Sequence, residues 1–204
     1  MIIKPLKTIK MSKKFKFQLR GTEFQLPLSQ VREDNYNNNE KYIYMNAKSC
    51  ASVIKQYVKK TYPTIKVWAG SDVYSGGSSV RINVCNSDGS EITDQKIWED
   101  IFSWRYTLQG GTFNGMIDMY ESREDSVSTQ SGTPLKYFPS YVFIENRPKW
   151  DSIEYWVSQW KEYQNSMDAE WTEKVQRLGG WLEYNKEFMN KKNIDKVASL
   201  TVNA

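Results

Sequence analysis

Residues 73–84 read VYSGGSSVRINV: two adjacent glycines in a serine cluster, then an alternating run. A loop that cradles phosphate needs glycine N–H groups at the mouth of a helix, where free donors and the helix dipole meet the anion. Here no Gly-Lys-Ser or Gly-Lys-Thr follows. Val80, Ile82 and Val84 alternate with Arg81 and Asn83, which is a strand pattern. Gly76-Gly77 therefore reads as a hairpin loop, with glycine supplying a positive φ. A serine- and glycine-rich loop at a sheet edge still has amides that can touch a phosphate backbone. Ser75, Gly76 and Gly77 thus stay candidate nucleic-acid contacts, with Arg81 beside them.

The stretches around this loop extend the pattern. "IKVWAGSD" from residue 65 and "SSVRINVCN" from 78 are the two strands, and Asp88-Gly89 closes the second with another turn. Upstream, "NAKSCASVIKQYVKKTYP" sets Cys50, Ile54, Tyr57 and Val58 at helical spacing and Lys48, Lys55 and Lys59 elsewhere. Asn46 caps this helix and Pro63 ends it. Downstream, "TDQKIWEDIFSWRY" places Ile97, Ile101 and Trp104 at i, i+4, i+7 behind Thr93 or Asp94 as cap. "GGTFNGMIDMY" is ambiguous, "SREDSVSTQSGTP" reads as loop, and "YVFIENRP" at 141–148 as a strand.

Residues 14–20, "KFKFQLR", alternate strictly. Phe15, Phe17 and Leu19 point one way, and Lys14, Lys16 and Arg20 the other, which is a half-buried strand with a basic outer face. "RGTE" is a turn and "FQLPL" a return strand. "REDNYNNNE" at 32–40 reads as a loop or linker. Residues 150–190 change character. Asp151-Ser-Ile-Glu154 is a capping-box variant, and Ile153, Trp156, Val157 and Trp160 mark one helical face. Trp171, Val175, Leu178 and Leu182 mark another, so two helices are expected, then a polar tail.

The helix ending at Tyr62-Pro63, "IKVWAGSD", "SGGSSVRINV", Asp88-Gly89, the helix at 94–106, "FNGMIDMY" and "YVFIENR" together resemble the large polyvalent-protein-associated domains, twenty-ninth type. The likeness covers roughly residues 47–148, and "GGSSVRI" and "FNGMID" are its most specific pieces. The chain departs from the pattern in having Asn86-Ser87 ahead of Asp88-Gly89, Ser90 after it, and Asn114 where the family would have Asp. The resemblance implies a phage or conjugative-element origin and a role beside DNA processing or evasion of host defence. It implies no catalytic residues.

Composition bounds the chemistry. With 204 residues the chain makes one domain, or one domain with an appendage. Apolar residues are 39% and aromatics 14%, so much of the core must be Trp, Tyr and Phe. Net charge is +4, but residues 1–20 hold seven basic and no acidic residues, leaving 21 basic against 24 acidic in the rest. Such a basic head marks nucleic-acid contact or a solvated tail. Met11 reads as an alternative start, which would make residues 1–10 dispensable. There is no histidine, which excludes Ser-His-Asp and Cys-His catalysis and every zinc site that uses His. Cys50 and Cys85 read as buried thiols of a reducing compartment. No run reaches the roughly 18 apolar residues that span a bilayer, and the N-terminus lacks a secretory apolar core.

Three constellations remain. Asp118, Glu121, Glu124 and Asp125 would suit a metal-dependent nuclease if they converged, and otherwise form a solvated loop. Trp156 and Trp160 share a stripe with Ile153 and Val157 and read as core, whereas Trp68, Trp150 and Trp181 are partner-binding candidates. Lys55 and Lys59, with Lys14, Lys16 and Arg20, would make an electrostatic footprint if the fold brought them together.

The expectation is an α+β protein: an antiparallel sheet flanked by helices, with a C-terminal helical pair. Residues 1–33 form a basic tail and hairpin, 34–148 the α+β domain, and 149–204 a Trp-rich helical appendage and tail. The expected function is that of a non-enzymatic mobile-element accessory protein in the host cytoplasm. It would bind nucleic acid or a host nucleoprotein complex and block a defence system of the restriction or CRISPR type. No cofactor, metal, membrane or small-molecule substrate is expected. A protein-interaction module or virion component using the Trp-rich helices, and the nuclease, are the alternatives.

Overall fold

A computed structural model describes residues 13–34, 39–116, 119–123 and 126–166. β1 (Lys14–Leu19) and β2 (Thr22–Pro27) pair antiparallel, from Lys14 opposite Pro27 to Leu19 opposite Thr22. Their alternation places Phe17, Leu19, Phe24 and Leu26 in the core and leaves Lys14 and Lys16 exposed. Arg20 does not continue the strand. It sits in the turn with φ 50, next to Gly21 at φ 74. β3 (Val31–Asp34) pairs antiparallel with β4 (Glu40–Tyr44), so part of the 32–40 stretch read as loop is strand. Arg32 and Glu33 are exposed on this edge strand, and a strand with no apolar face leaves no periodic signal.

α1 (Ala47–Thr61) starts where Asn46 Oδ1 accepts from Ser49 N at 2.9 Å. Its buried face includes Cys50, Val53, Ile54, Tyr57 and Val58. It packs on β5 (Lys66–Tyr74) and β6 (Gly77–Cys85), which pair antiparallel and close at Tyr74 opposite Gly77. The loop is Ser75-Gly76, and Gly76 has φ 88, so the glycine pair makes a hairpin turn as its sequence context predicts. α2 (Gln95–Leu108) is capped by Asp94, which accepts from Lys96 N and Ile97 N. Ile101, Trp104 and Leu108 are its buried residues.

The ambiguous stretch after α2 is a hairpin of β7 (Gly111–Asn114) and β8 (Met119–Ser122). A Cβ on Gly111 would lie 2.1 Å from the Glu121 carbonyl oxygen, so this pairing requires glycine. β9 (Val127–Ser128) and β10 (Pro134–Lys136) follow, within and just after the stretch read as loop. β11 (Tyr141–Asn146) then joins the far side of β6. The fold is α+β with mostly antiparallel strands, as expected. Two pairings are parallel, β10 with β4 and β11 with β6. A parallel neighbour arrives through a long crossover, which local patterning does not register.

α3 (Ile153–Ser166) is the first helix of the expected pair, and the second lies outside the described residues. Ser152 Oγ accepts from Tyr155 N at 3.1 Å, so the cap is Ser152 rather than Asp151. Phe17, Leu19, Phe24 and Leu26 of the hairpin share one core with α1, α2, β6 and β11. Among the described residues no helix is long and apolar enough to cross a membrane.

Candidate functional site

The sheet β11–β6–β5 has two unlike faces. Val80, Ile82, Val84, Val142 and Ile144 are buried in the core beneath α1 and α2. The alternate positions form the other face in rows fixed by register. Trp68, Asn83 and Glu145 make one row, Gly70, Arg81 and Phe143 the next, and Asp72, Ser79 and Tyr141 the third. Tyr141 and Phe143 alternate along β11 with the buried Val142 and Ile144 and so lie on this second face.

A cleft of about 380 Å³ runs along the β5 edge of this face. Its walls include Lys55 from α1, Trp68 and Gly70 from β5, Arg81 from β6, and Lys149 and Trp150 from the segment before α3. Gly70 matters because nothing lies within 4 Å of where its Cβ would be, so the strand backbone is bare there. The Lys149-Trp150 segment is shaped by local contacts and tied to β5 by an ion pair. Lys149 pairs with Asp151 at 2.7 Å, Lys66 reaches Glu154 at 3.8 Å, and Ser152 N donates to the Lys149 carbonyl at 2.8 Å. Asn83 Nδ2 donates to Glu145 Oε2 at 3.2 Å, and Arg147 pairs with the same oxygen at 2.8 Å. Arg81 is exposed and makes no ion pair among the described residues.

Four of the residues singled out from sequence thus meet: Lys55, Arg81, Trp68 and Trp150. Lys59 is exposed on α1, on the same helical stripe as Lys48 and Lys55, and α1 contains no acidic residue. Ser75, Gly76 and Gly77 sit at the hairpin end, where a Cβ on Gly77 would meet Ser140 Oγ at 2.8 Å. The basic hairpin lies apart from the cleft lining. Lys16 pairs with Glu23 at 3.2 Å. Arg20 donates to Ser103 Oγ at 2.9 Å and Thr107 Oγ1 at 3.3 Å, approaches Asp100 at 3.8 Å, and lies 4.7 Å above the Trp104 ring. Lys14 is exposed on β1. Trp181 lies outside the described residues, as do Asp118, Glu124 and Asp125 of the acidic quartet. Glu121 accepts from Asn114 Nδ2 at 2.7 Å.

Neither thiol is primed as a nucleophile. Burial pushes Cys50 far up, and pushes Cys85 from 9.0 to about 12, with Glu154 and Asp88 adding to it. Tyr57 and Tyr62 are also raised, first by burial and then by their hydrogen bonds to Asp100.

A protein-family model, the large polyvalent protein associated domain 29, matches residues 45–149, just over half the chain. The chain belongs to this family. Membership in the large polyvalent protein associated domain 29 family fits a protein of phages and mobile genetic elements. No curated protein and no solved structure matches the chain. The matched segment runs from just before α1 to Lys149, so the domain 29 module carries every described wall of the cleft except Trp150. The β1–β2 hairpin and α3 lie outside it.

Proposed function

We propose that this is a non-enzymatic accessory protein of a phage or mobile element that binds nucleic acid, or a host nucleoprotein complex, in the host cytoplasm. It acts by occupancy, and blocking a host defence system is the use that fits its family context. One observation carries this reading: two cations, Lys55 and Arg81, and two tryptophans, Trp68 and Trp150, line the same cleft. The cations hold phosphates and the indoles supply contact area. Lys48 and Lys59 extend the cationic line along α1, and none of these four makes an ion pair among the described residues. The absence of histidine and the protonated thiols favour binding over turnover.

The test is a salt titration of binding to single-stranded and duplex DNA and RNA, with and without magnesium. Four cations predict a log–log slope of about −3, and each of Lys55→Ala and Arg81→Ala should lessen it by about 0.7–0.9. No binding at low salt would overturn the reading, and cleavage that needs magnesium would favour the nuclease. A second reading, a protein-interaction module, draws support from the β7–β8 hairpin, whose tip bares Phe113, Met116 (96% exposed) and Met119. It predicts salt-insensitive binding to a protein and none to nucleic acid.

A further inference from the structure

Resting on the nucleic-acid reading, we infer that the ligand is a single strand whose bases stack on the open face of the β11–β6–β5 sheet, on Phe143 and Trp68, astride Arg81. Phe143 is 44% exposed in a row of otherwise polar or bare positions, with Arg81 beside it and Gly70 beyond. Adjacent strands lie about 4.8 Å apart, so the three positions span roughly 10 Å. The Phe143 ring is held in orientation. Tyr141 lies nearly parallel to it, with centroids 6.0 Å apart and planes at 18°. Tyr120 packs edge-on against Tyr141 at 5.7 Å, and its hydroxyl donates to the Ser140 carbonyl at 2.7 Å. Trp68 stands one row along on the other edge strand, and Trp150, 63% exposed, closes that end.

The charges favour a single strand over a duplex. Asp72 and Glu145 occupy the same face as Arg81, while Lys55 enters the cleft from α1, at the β5 edge. A duplex would press its phosphates across the whole face, acids included. A single strand offers base planes to the rings and turns its phosphates toward Lys55 and Arg81. Only unstacked bases expose a π-face to such a platform.

The experiment compares three probes of equal length, each about 12 nucleotides, within the usual span of a single-strand site. They are an oligothymidylate, an abasic backbone and a duplex. The oligothymidylate should bind most tightly. Phe143→Ala should weaken it roughly 5- to 150-fold, the range of one lost base–aromatic stack. Phe143→Leu, which keeps apolar bulk and guards against misfolding, should also weaken it. Equal binding of the abasic or duplex probe, or unchanged affinity in both Phe143 variants, would overturn the stacking inference and leave the nucleic-acid reading standing. Failure of every probe to bind would overturn both.

Discussion

Two hairpins of this chain carry arginines that look alike in sequence, and the fold uses them in opposite ways. Arg20 of β1–β2 is exposed yet bonded across to α2, with Ser103, Thr107 and the Trp104 ring as partners. Arg81 of β5–β6 stands exposed, between Gly70 and Phe143. The cause is what lies opposite each arginine. Arg20 sits in a left-handed turn beside α2, whereas Arg81 lies on the side of the sheet away from α1 and α2, at a position that stays exposed. A cation already satisfied by its own protein has little left for a ligand. Counting basic residues therefore overstates a binding surface wherever the fold has claimed them.

The strongest test of this contrast is Trp104→Ala. Trp104 is fully buried, packs edge-on against Phe24 at 5.6 Å and lies beneath Arg20. Its loss should cost about 3–5 kcal/mol, read by denaturant unfolding. Arg20→Ala should cost about 1–2 kcal/mol through lost hydrogen bonds and cation–π contact, with binding unchanged in the protein that stays folded. A stable Arg20→Ala protein with impaired binding would reverse the assignment of the two hairpins.

A pH scan probes the buried hydroxyls and thiols. Cys85 at about 12, with Tyr62 and Tyr57 also raised, holds its proton in the fold where the unfolded chain releases it. The folded state then binds more protons than the unfolded state above about pH 9, so stability falls as pH rises from there toward 12. A melting temperature flat across that window would contradict the burial of these groups. The smallest stability effects belong to Arg81→Ala and Lys16→Ala, each within about 0.5 kcal/mol of the parent. Their binding should differ: Arg81→Ala loses affinity and salt slope, and Lys16→Ala, whose cation already pairs with Glu23, does not.

Much of this molecule was legible in the chain. Periodicity and caps gave α1 and α2 to within a residue or two, and the Gly76-Gly77 context gave the β5–β6 hairpin. The polar strand β3 and the short β9 and β10 escaped, because they are held by backbone pairing and have little or no apolar face. Of the candidate site, Lys55, Arg81, Trp68 and Trp150 stand out in the sequence by charge or ring, whereas Phe143 reads there only as part of a strand.

By itself, the sequence determined what is local: which segments coil or extend, where they turn, and which chemistry is absent because histidine is absent. These follow from backbone sterics, capping and side-chain inventory, which act over a few residues. The tertiary structure alone decided that β11 lies beside β6, with Phe143 opposite Arg81 although 62 positions separate them. It alone decided that Arg20 is spent on α2. Such outcomes depend on which distant surfaces bury each other, and that is set by the packing of the whole core and by no single segment.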